Sequence, residues 1–320
     1  MEKLKDYMKN NLLTPGHRGC PGCGMMIAVR HVINAAGPDT ILVNATGCLE
    51  VVTSPYPESA WRVPWVHSLF ENAAAVASGV VSALKAKGNT KTNVIVFGGD
   101  GGTIDIGFGL LSGMFERGDN ILYVCFDNEG YQNTGAQASG STIYGAATTT
   151  TPAGAKELGA IQPKKNMPAF AVSQGLHYVA TSSVAYPVDI EQKVKRALSF
   201  SGPKYLHIFN PCPVGWGFES ELTIQVARLA VTTGLFPVIE VEQGEITKVL
   251  KTPEPRPKVE EYLKSQARFK HLFRDPRGKE IINHLQKMAD ENIEKYGLCP
   301  KCEEHEILTH YKEVDNLDTQ

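Results

Sequence analysis

The first two thirds of the chain alternate short apolar runs with longer amphipathic segments. Residues 94–97 and residues 121–126 are apolar runs of the length typical of buried strands. Between them, the segment 104–117 carries four apolar residues at helical spacing: Ile106, Leu110, Leu111 and Met114. This pattern predicts a βαβ unit, in which both strands run parallel and end at the same edge of a sheet.

The same alternation continues on both sides of this unit. Strands are predicted at 41–43, 177–181 and 205–209, and helices at 24–36, 68–87, 189–200 and 219–233. We therefore expect an α/β fold: an open, mostly parallel sheet with helices on both faces.

The pattern of residues along the sequence changes after residue 242. Prolines at 253, 255 and 257 predict an extended arm, and amphipathic helices are predicted at 260–273 and 278–296. We therefore predict a main domain over residues 1–242, followed by an arm, helices and a charged tail over residues 243–320 that make subunit contacts.

Composition and charge narrow the class of protein. Of the 320 residues, 42% are hydrophobic and 21% are charged, and a net charge of −2 gives no general attraction to nucleic acid or to an anionic membrane. The longest apolar run, residues 73–84, is too short to span a bilayer, and the amino terminus lacks a signal-peptide pattern. We expect a cytoplasmic globular protein, in which seven cysteines indicate metal or cofactor chemistry rather than a disulfide framework.

A Gly-Asp-Gly turn at residues 99–101 follows the strand 94–97 and is suited to a diphosphate held by a metal ion. Its glycines let the backbone approach a phosphate closely, and Asp100 supplies a hard oxygen ligand. Asn128 follows the next strand and should lie at the same edge, where open α/β sheets bind ligands. We expect one Mg²⁺ to be held by Asp100, the Asn128 amide and a nearby carbonyl such as that of Gly130.

An isolated Gly-Asp-Gly tripeptide is more often a surface turn than a cofactor site. Here Asp127-Asn128 at the next strand end, followed by Asn-Thr-Gly at 133–135, favours the cofactor site. A dinucleotide site is not favoured, since no G-x-G-x-x-G sequence follows a predicted strand. The long polar segment 133–165 is expected to cover the cofactor.

Four cysteines fall at the same predicted edge of the sheet. They are the Cys-x-x-Cys pair Cys20 and Cys23, Cys48 after the strand 41–43, and Cys212 after the strand 205–209. The helix predicted at 24–36 places the amide groups after Cys23 at a helix N-terminus, which favours anionic ligands. Four thiolates converging there would suit either a four-iron, four-sulfur cluster or a structural zinc ion.

Other cysteines and charged residues allow more than one role. Cys125 lies inside the strand 121–126 and is expected to be a core residue. Cys299 and Cys302 form a second Cys-x-x-Cys pair, for which a weak zinc site and an exposed thiol pair are both open. The sequence assigns no role to three residues beside the motifs: Glu50, His17 and His67.

Together these motifs resemble the thiamine-diphosphate-binding beta subunit of the 2-oxoacid:ferredoxin oxidoreductases, and above all those that act on pyruvate. The motifs are GCPGCG at 19–24, ATGCLEVV at 45–52, GGDGGT at 98–103, DNE at 127–129 and NTG at 133–135. The resemblance implies that residues 1–242 form the diphosphate half of a thiamine-diphosphate-binding fold. The Thr-Gly-Cys-Leu-Glu sequence around Cys48 favours the pyruvate branch over the branched-chain branch.

By position, the resemblance implies a role for each matched residue. The cluster ligands would be Cys20, Cys23, Cys48 and Cys212, and the magnesium ligands would be Asp100, Asn128 and the Gly130 carbonyl. Asn133 would be the polar residue near the reacting carbon, and Val51 would belong to the apolar wall around the thiazolium ring. Other cofactor contacts would come from Thr46, Gly47, Gly99, Gly101, Gly102 and Thr103.

The implied activity is the oxidative decarboxylation of pyruvate with coenzyme A to acetyl-CoA and CO₂, with electrons passing through one 4Fe-4S cluster to ferredoxin. The chain would be the catalytic subunit. An alpha-type subunit would supply a pyrimidine-binding domain and the activating glutamate, alongside gamma and ferredoxin-like delta subunits. Three alternatives stay open: a subunit for oxalate or another 2-oxoacid, a non-redox thiamine decarboxylase or synthase with structural zinc, and a metal-binding interaction subunit without catalysis.

Overall fold

A computed structural model describes residues 11–301 of the chain. Its strands are β1 (Thr40–Ala45), β2 (Trp65–Ser68), β3 (Asn93–Gly99), β4 (Leu122–Asp127), β5 (Tyr178–Ser183), β6 (Lys204–Phe209), β7 (Ile239–Glu242) and β8 (Glu245–Val249). They form one sheet in the order β2-β1-β3-β4-β6-β5-β7-β8. The strands β1 to β6 are all parallel, whereas β7 and β8 add an antiparallel edge. This confirms the predicted open, mostly parallel α/β sheet.

Helices cover both faces of the sheet. They are α1 (Gly24–Ala36), α2 (Cys48–Thr53), α3 (Ala73–Ala86), α4 (Phe108–Glu116), α5 (Met167–Ser173), α6 (Pro187–Leu198), α7 (Pro213–Trp216), α8 (Thr223–Thr232), α9 (Val259–Lys264) and α10 (Gly278–Lys295). A π-helical turn at Gly101–Asp105 and 3₁₀ segments at Ser220–Leu222 and Ala267–Phe273 complete the helical structure of the described residues. The helices α1 and α6 share a core with one face of the sheet, and α3, α4 and α5 share a core with the other.

Strand β3 explains why the central strands are continuous apolar runs. Ile95 and Phe97 point into the core that α1 and α6 cover, while Val94 and Val96 point into the core on the opposite face. Because side chains alternate along a strand and both faces are covered, apolar residues are favoured at every position.

The order of the strands creates a crevice. The chain passes from β1 to β2 on one side, and then crosses to β3 on the other side of β1. Open α/β sheets bind ligands at such a switch point, outside the carboxyl ends of the strands. The crevice between β1 and β3 therefore marks the expected site.

Two predicted helices begin later than their sequence patterns indicated. The segment predicted as a helix over 68–87 is helical only from Ala73, because Trp65–Ser68 forms the edge strand β2. The segment predicted over 104–117 is interrupted at Gly107. There the chain passes so close to Gly102 that a Cβ on Gly107 would lie 2.1 Å from the Gly102 carbonyl oxygen. This tight turn separates the π-helical turn from α4, and Ile106, one of the four apolar residues at helical spacing, is 55% exposed.

A third core lies at the carboxyl end of β6. It contains Phe209 and Trp216 together with Tyr262, Phe269 and Leu285 from the C-terminal region. The predicted domain limit at residue 243 falls in the turn between β7 and β8. Cys302 and the charged tail lie outside the described residues, and between 11 and 301 no helix has both the length and the apolarity to cross a membrane.

Candidate functional site

A cavity of about 180 Å³ opens at the carboxyl ends of β1, β3 and β4. Its walls are the segments that follow these strands, namely residues 44–49, residues 97–102 and residues 130–134 with Asn128. This arrangement brings together nine residues predicted from the sequence: Thr46, Gly47, Gly99, Asp100, Gly101, Gly102, Asn128, Gly130 and Asn133.

The glycines of this cavity serve different purposes. A Cβ built on Gly47 or Gly99 would meet no atom within 4 Å, so both glycines border open space. A Cβ on Gly101 would lie 2.3 Å from the ring of Tyr131. The first two leave room for a ligand, whereas Gly101 allows Tyr131 to pack against the turn.

Three polar groups converge beside this turn. The side-chain amide of Asn128 places one atom 2.9 Å from the Gly130 carbonyl oxygen and 3.1 Å from Asp100 Oδ1, and without a cation that atom is best assigned as the nitrogen, which donates to both oxygens. Acceptors this close repel one another unless the amide turns to donate or a cation lies among them. Adjacent ligands of an octahedral Mg²⁺ lie about 2.9 Å apart, since its metal–oxygen distances are about 2.0–2.1 Å. The three predicted ligands therefore fit a magnesium ion.

Asp100 is a buried carboxylate whose negative charge is only partly stabilised by its neighbours. Burial raises the pKa of Asp100 well above its usual range, and the nearby Asp127 carboxylate raises it further. A hydrogen bond from Ser139 Oγ to Asp100 Oδ2, at 2.5 Å, and the charge of Lys164 act in the opposite direction. A divalent cation beside Asp100 would stabilise its ionised form.

Asp127, at the end of β4, is fully buried, but its negative charge is well stabilised by its neighbours. Its carboxylate accepts hydrogen bonds from Lys164 Nζ at 2.7 Å, from Ser141 Oγ at 2.7 Å and from His207 Nε2 at 2.9 Å. Burial alone would raise the pKa of Asp127, but Lys164 and His207 together lower it below its usual value. The Asp127 carboxylate is therefore ionised and forms part of the structure that supports Asp100.

The segment that carries Asn128 is held from behind by C-terminal side chains. Glu129 is buried and forms ion pairs with Lys164 at 2.9 Å and with Arg268 at 2.7 Å. The Arg268 guanidinium lies 3.5 Å from the centre of the Trp216 ring, and Trp216 Nε1 donates to the Asn128 carbonyl at 2.9 Å. The position of Asn128 thus depends on residues distant in sequence.

Replacing Lys164 by methionine is expected to destabilise the fold by about 3–5 kcal/mol, because Asp127 and Glu129 would lose their shared cation while remaining buried. Denaturant titration measures this free energy of unfolding. Lys165→Met is the matched control, since Lys165 is 55% exposed and pairs with Asp105 near the surface; it should cost at most about 1 kcal/mol. Equal losses of unfolding free energy in the two variants would contradict the structural role of Lys164.

A second cavity, of about 390 Å³, lies beside the first, and all four predicted cysteines line it. Cys20 and Cys23 come from the loop before α1, Cys48 from the start of α2, and Cys212 from the loop after β6. Burial and the neighbouring cysteines raise the pKa of Cys23 to about 11 and that of Cys48 to about 12. The sulfur atoms would repel one another as thiolates, so a cationic partner is needed to hold them ionised.

Two glycines bring the cysteine loops together. Gly22 has a φ of 68°, and a Cβ there would lie 2.2 Å from the Ser220 carbonyl oxygen. A Cβ on Gly24 would lie 2.8 Å from the Pro211 carbonyl oxygen. Because these positions lack side chains, the Cys-x-x-Cys loop can approach the 3₁₀ segment at Ser220–Leu222 through Gly22 and the loop of Cys212 through Gly24.

The size of the cysteine cavity and the spread of its cysteines bear on which metal group would fit there. Between residues 11 and 301, no three His, Cys, Asp or Glu side chains are grouped so that they could hold one metal ion. Tetrahedral zinc requires four sulfur atoms about 2.3 Å from one point. An iron–sulfur cluster instead places its own iron and sulfide atoms between the cysteines. Four cysteines around a cavity of about 390 Å³ fit the cluster better.

Two residues predicted to contact the cofactor lie away from this open space. Val51 is 48% exposed and lines neither of the two cavities. Thr103 is buried, and its hydroxyl donates to the Gly99 carbonyl at 2.7 Å, so it shapes the turn from behind. His67, which had no assigned role, pairs through Nε2 with Thr46 Oγ1 at 2.8 Å.

The structure also adds polar residues that the sequence patterns did not single out. The long segment 133–165 places Ser139 on Asp100 and Lys164 on Asp127. Gln132 lines both cavities, and its Nε2 donates to the Asn128 carbonyl at 2.9 Å. For Ser139 and Lys164, the one signal in the sequence was a polar segment too long for a simple connection, and Gln132 directly precedes that segment.

The fold and the first cavity define a thiamine-diphosphate-binding subunit. Residues 45–208 match the family model of the thiamine pyrophosphate enzymes, C-terminal TPP binding domain. The chain is 54% identical to pyruvate synthase subunit PorB of Methanosarcina barkeri, over 89% of this chain and 97% of that protein. It is 46% identical to subunit PorB of Thermotoga maritima, over 88% of this chain and 90% of that protein. The chain belongs to the family of pyruvate synthase PorB subunits, which confirms the predicted family.

Relatives with other named substrates share much of the chain. Ketoisovalerate oxidoreductase subunit VorB of Pyrococcus abyssi is 43% identical, over 88% of this chain and 90% of that protein. The solved 2-oxoglutarate:ferredoxin oxidoreductase from Magnetococcus marinus, with 2-oxoglutarate, coenzyme A and succinyl-CoA bound, matches with a TM-score of 0.54. That match has 26% identity and covers 64% of this chain and 67% of the other. The fold therefore serves more than one 2-oxoacid.

Proposed function

We propose that this subunit binds thiamine diphosphate, Mg²⁺ and one 4Fe-4S cluster in an enzyme that oxidatively decarboxylates pyruvate with coenzyme A, yielding acetyl-CoA and CO₂ and passing electrons to ferredoxin. The observation that carries the proposal is the shared wall of the two cavities. Five residues line both: Met25, Cys48, Asn128, Gln132 and Asn133. A cluster in the second cavity would lie directly beside a cofactor in the first.

The first cavity would hold the diphosphate end of the cofactor. Asp100, the Asn128 amide and the Gly130 carbonyl would bind Mg²⁺, and the open space beside Gly99 would accept a phosphate group. Thiamine diphosphate supplies the electron sink for decarboxylation when it is bound. The chain contributes position and electrostatics, and Asn133, between the two cavities, would face the reacting carbon.

The second cavity would hold the cluster through Cys20, Cys23, Cys48 and Cys212. Its size and the spread of its cysteines support a cluster over the structural zinc that a non-redox thiamine enzyme would need. This argument favours the redox enzyme over the decarboxylase or synthase.

Exposed apolar side chains at the rim of the first cavity support a partner subunit. Leu69 and Ile106 are 63% and 55% exposed, next to Phe70, which lines the cavity, and to the turn at 101–105. A pyrimidine-binding domain with its activating glutamate, on an alpha-type subunit, would cover this rim. Gamma and ferredoxin-like delta subunits would complete the enzyme, with residues 243–320 adding further contacts.

Pyruvate is the proposed substrate for two reasons. Four PorB relatives match this chain at 50% to 54% identity, above the VorB relative at 43%, although that VorB relative exceeds two Pyrococcus PorB subunits at 41% and 40%. The sequence at 46–50 also has the form expected of the pyruvate branch.

The test is to purify the chain anaerobically with its co-purifying partners and to determine thiamine diphosphate, iron, sulfide and zinc. The visible spectrum is recorded before and after pyruvate and coenzyme A are added. We expect iron and sulfide in equal amounts and a spectrum that pyruvate bleaches. Bleaching by another 2-oxoacid alone would change the substrate and keep the redox reaction, whereas zinc without a chromophore would overturn the proposal in favour of a non-redox enzyme.

A further inference from the structure

The cysteine cavity is also lined by a residue with a buried, unpaired amide. Asn210 is 1% exposed, and neither Nδ2 nor Oδ1 has a hydrogen-bond partner among the described residues. Buried amides are nearly always hydrogen-bonded, because an unpaired one costs free energy. An unpaired amide in a residue that lines a cavity therefore points to a ligand bound in that cavity.

The backbone fixes the point from which this side chain projects. Asn210 directly follows β6, and its N–H donates to the Asp127 carbonyl at 2.9 Å. On the other side, a Cβ on Gly24 would lie 3.1 Å from the carbonyl carbon of Asn210. The backbone of Asn210 is thus held between the end of β4 and the start of α1, beside the loop of Cys23.

Asn210 differs from the other unpaired amides beside the site. Gln132 and Asn44 each have an unpaired side-chain oxygen, but their amide nitrogens already donate, to the Asn128 and Ala45 carbonyls. Asn210 still offers N–H groups. Cluster sulfides and cysteine thiolates accept hydrogen bonds and do not donate them, so the donor end of an amide is the complementary group.

We propose that the Asn210 amide donates a hydrogen bond to a sulfur atom of the cluster bound in this cavity and thereby raises the reduction potential of that cluster. The inference rests on the proposed function and assigns Asn210 a tuning role within it. Hydrogen bonds to cluster sulfurs stabilise the reduced, more negative state. A related contact exists at a ligand sulfur, since the Gly215 N–H donates to Cys212 Sγ at 3.3 Å.

The test is a redox titration of the purified complex, followed by electron paramagnetic resonance, with Asn210→Leu and Asn210→Asp. Loss of a signal in Cys212→Ala identifies the cluster of this chain. Asn210→Leu removes the donor at similar volume and should shift the midpoint potential to a more negative value. Asn210→Asp keeps the shape but adds negative charge, so it should shift the potential further, with iron and sulfide contents unchanged.

Asn292→Leu is the matched control for lost stability. Asn292 is half-buried on α10, and its amide donates to the Gly234 carbonyl at 2.9 Å, so its loss should leave the potential unchanged. If Asn210→Leu loses its cluster, the midpoint potential of Asn210→Asp decides whether the Asn210 amide tunes the cluster.

Three results would overturn the inference in distinguishable ways. An unchanged potential in both Asn210 variants, with clusters present, would overturn the tuning role and leave the proposed function intact. Loss of the cluster from both variants would assign Asn210 a purely structural role. A wild-type complex without iron and sulfide would overturn the proposed function itself.

Discussion

Asp100→Ala is expected to abolish tight binding of thiamine diphosphate and to lower turnover of the assembled enzyme by more than about 100-fold. Asp100 is the one carboxylate among the three proposed magnesium ligands, the others being the Asn128 amide and the Gly130 carbonyl. Changes around a metal ligand typically cost about 10–100-fold in metal affinity, and loss of the ligand itself should cost more. Calorimetry with Mg²⁺ present measures cofactor binding, and pyruvate-dependent reduction of ferredoxin measures turnover.

Asp119→Asn is the matched control for this experiment. Asp119 is also a buried carboxylate, but it pairs with Arg117 at 3.1 Å and precedes β4, at the opposite edge of the sheet. Cofactor binding should be unchanged in this variant. Wild-type binding in Asp100→Ala would instead make Asp100 a turn residue, as in an interaction subunit without catalysis.

The central strands could be predicted because their environment is the same on both faces. The apolar runs at 94–97 and 121–126 lie close to the bounds of β3 and β4. Strand β2 was missed because it lies at the sheet edge, where Val66 and His67 are exposed and leave no apolar run. Strand β8 was missed for the same reason, since all of its residues are exposed or half-buried, whereas β7 is a mostly buried strand of only four residues.

The site could be predicted where it depends on topology. Parallel strands end at one edge, so Asp100, Asn128 and Cys212 could be placed together from sequence alone. The support behind them could not be predicted, because Arg268 reaches Glu129 through the packing of the third core. Such contacts follow no helical or strand period, and a single sequence carries no signal of them.

Cys212→Ala is expected to remove the proposed iron–sulfur cluster and to abolish pyruvate-dependent reduction of ferredoxin. Three remaining cysteines would leave one iron atom of the cluster without a protein ligand. Binding of thiamine diphosphate should persist, because the proposed magnesium ligands come from the segments after β3 and β4 rather than from the loop after β6. Iron and sulfide contents, the visible spectrum and calorimetric binding of the cofactor measure the three effects.

Cys125→Ala separates loss of a cluster ligand from loss of a buried thiol. Cys125 is fully buried within β4 and lines neither of the two cavities, so it has no place in the proposed ligand set. This variant should keep both cluster and ferredoxin reduction. An intact spectrum in Cys212→Ala would contradict the proposed ligand set, and release of zinc instead of iron would identify the non-redox alternative. Cluster loss confined to Cys212→Ala would place the electron carrier in the cavity beside the cofactor, as a subunit that passes electrons to ferredoxin requires.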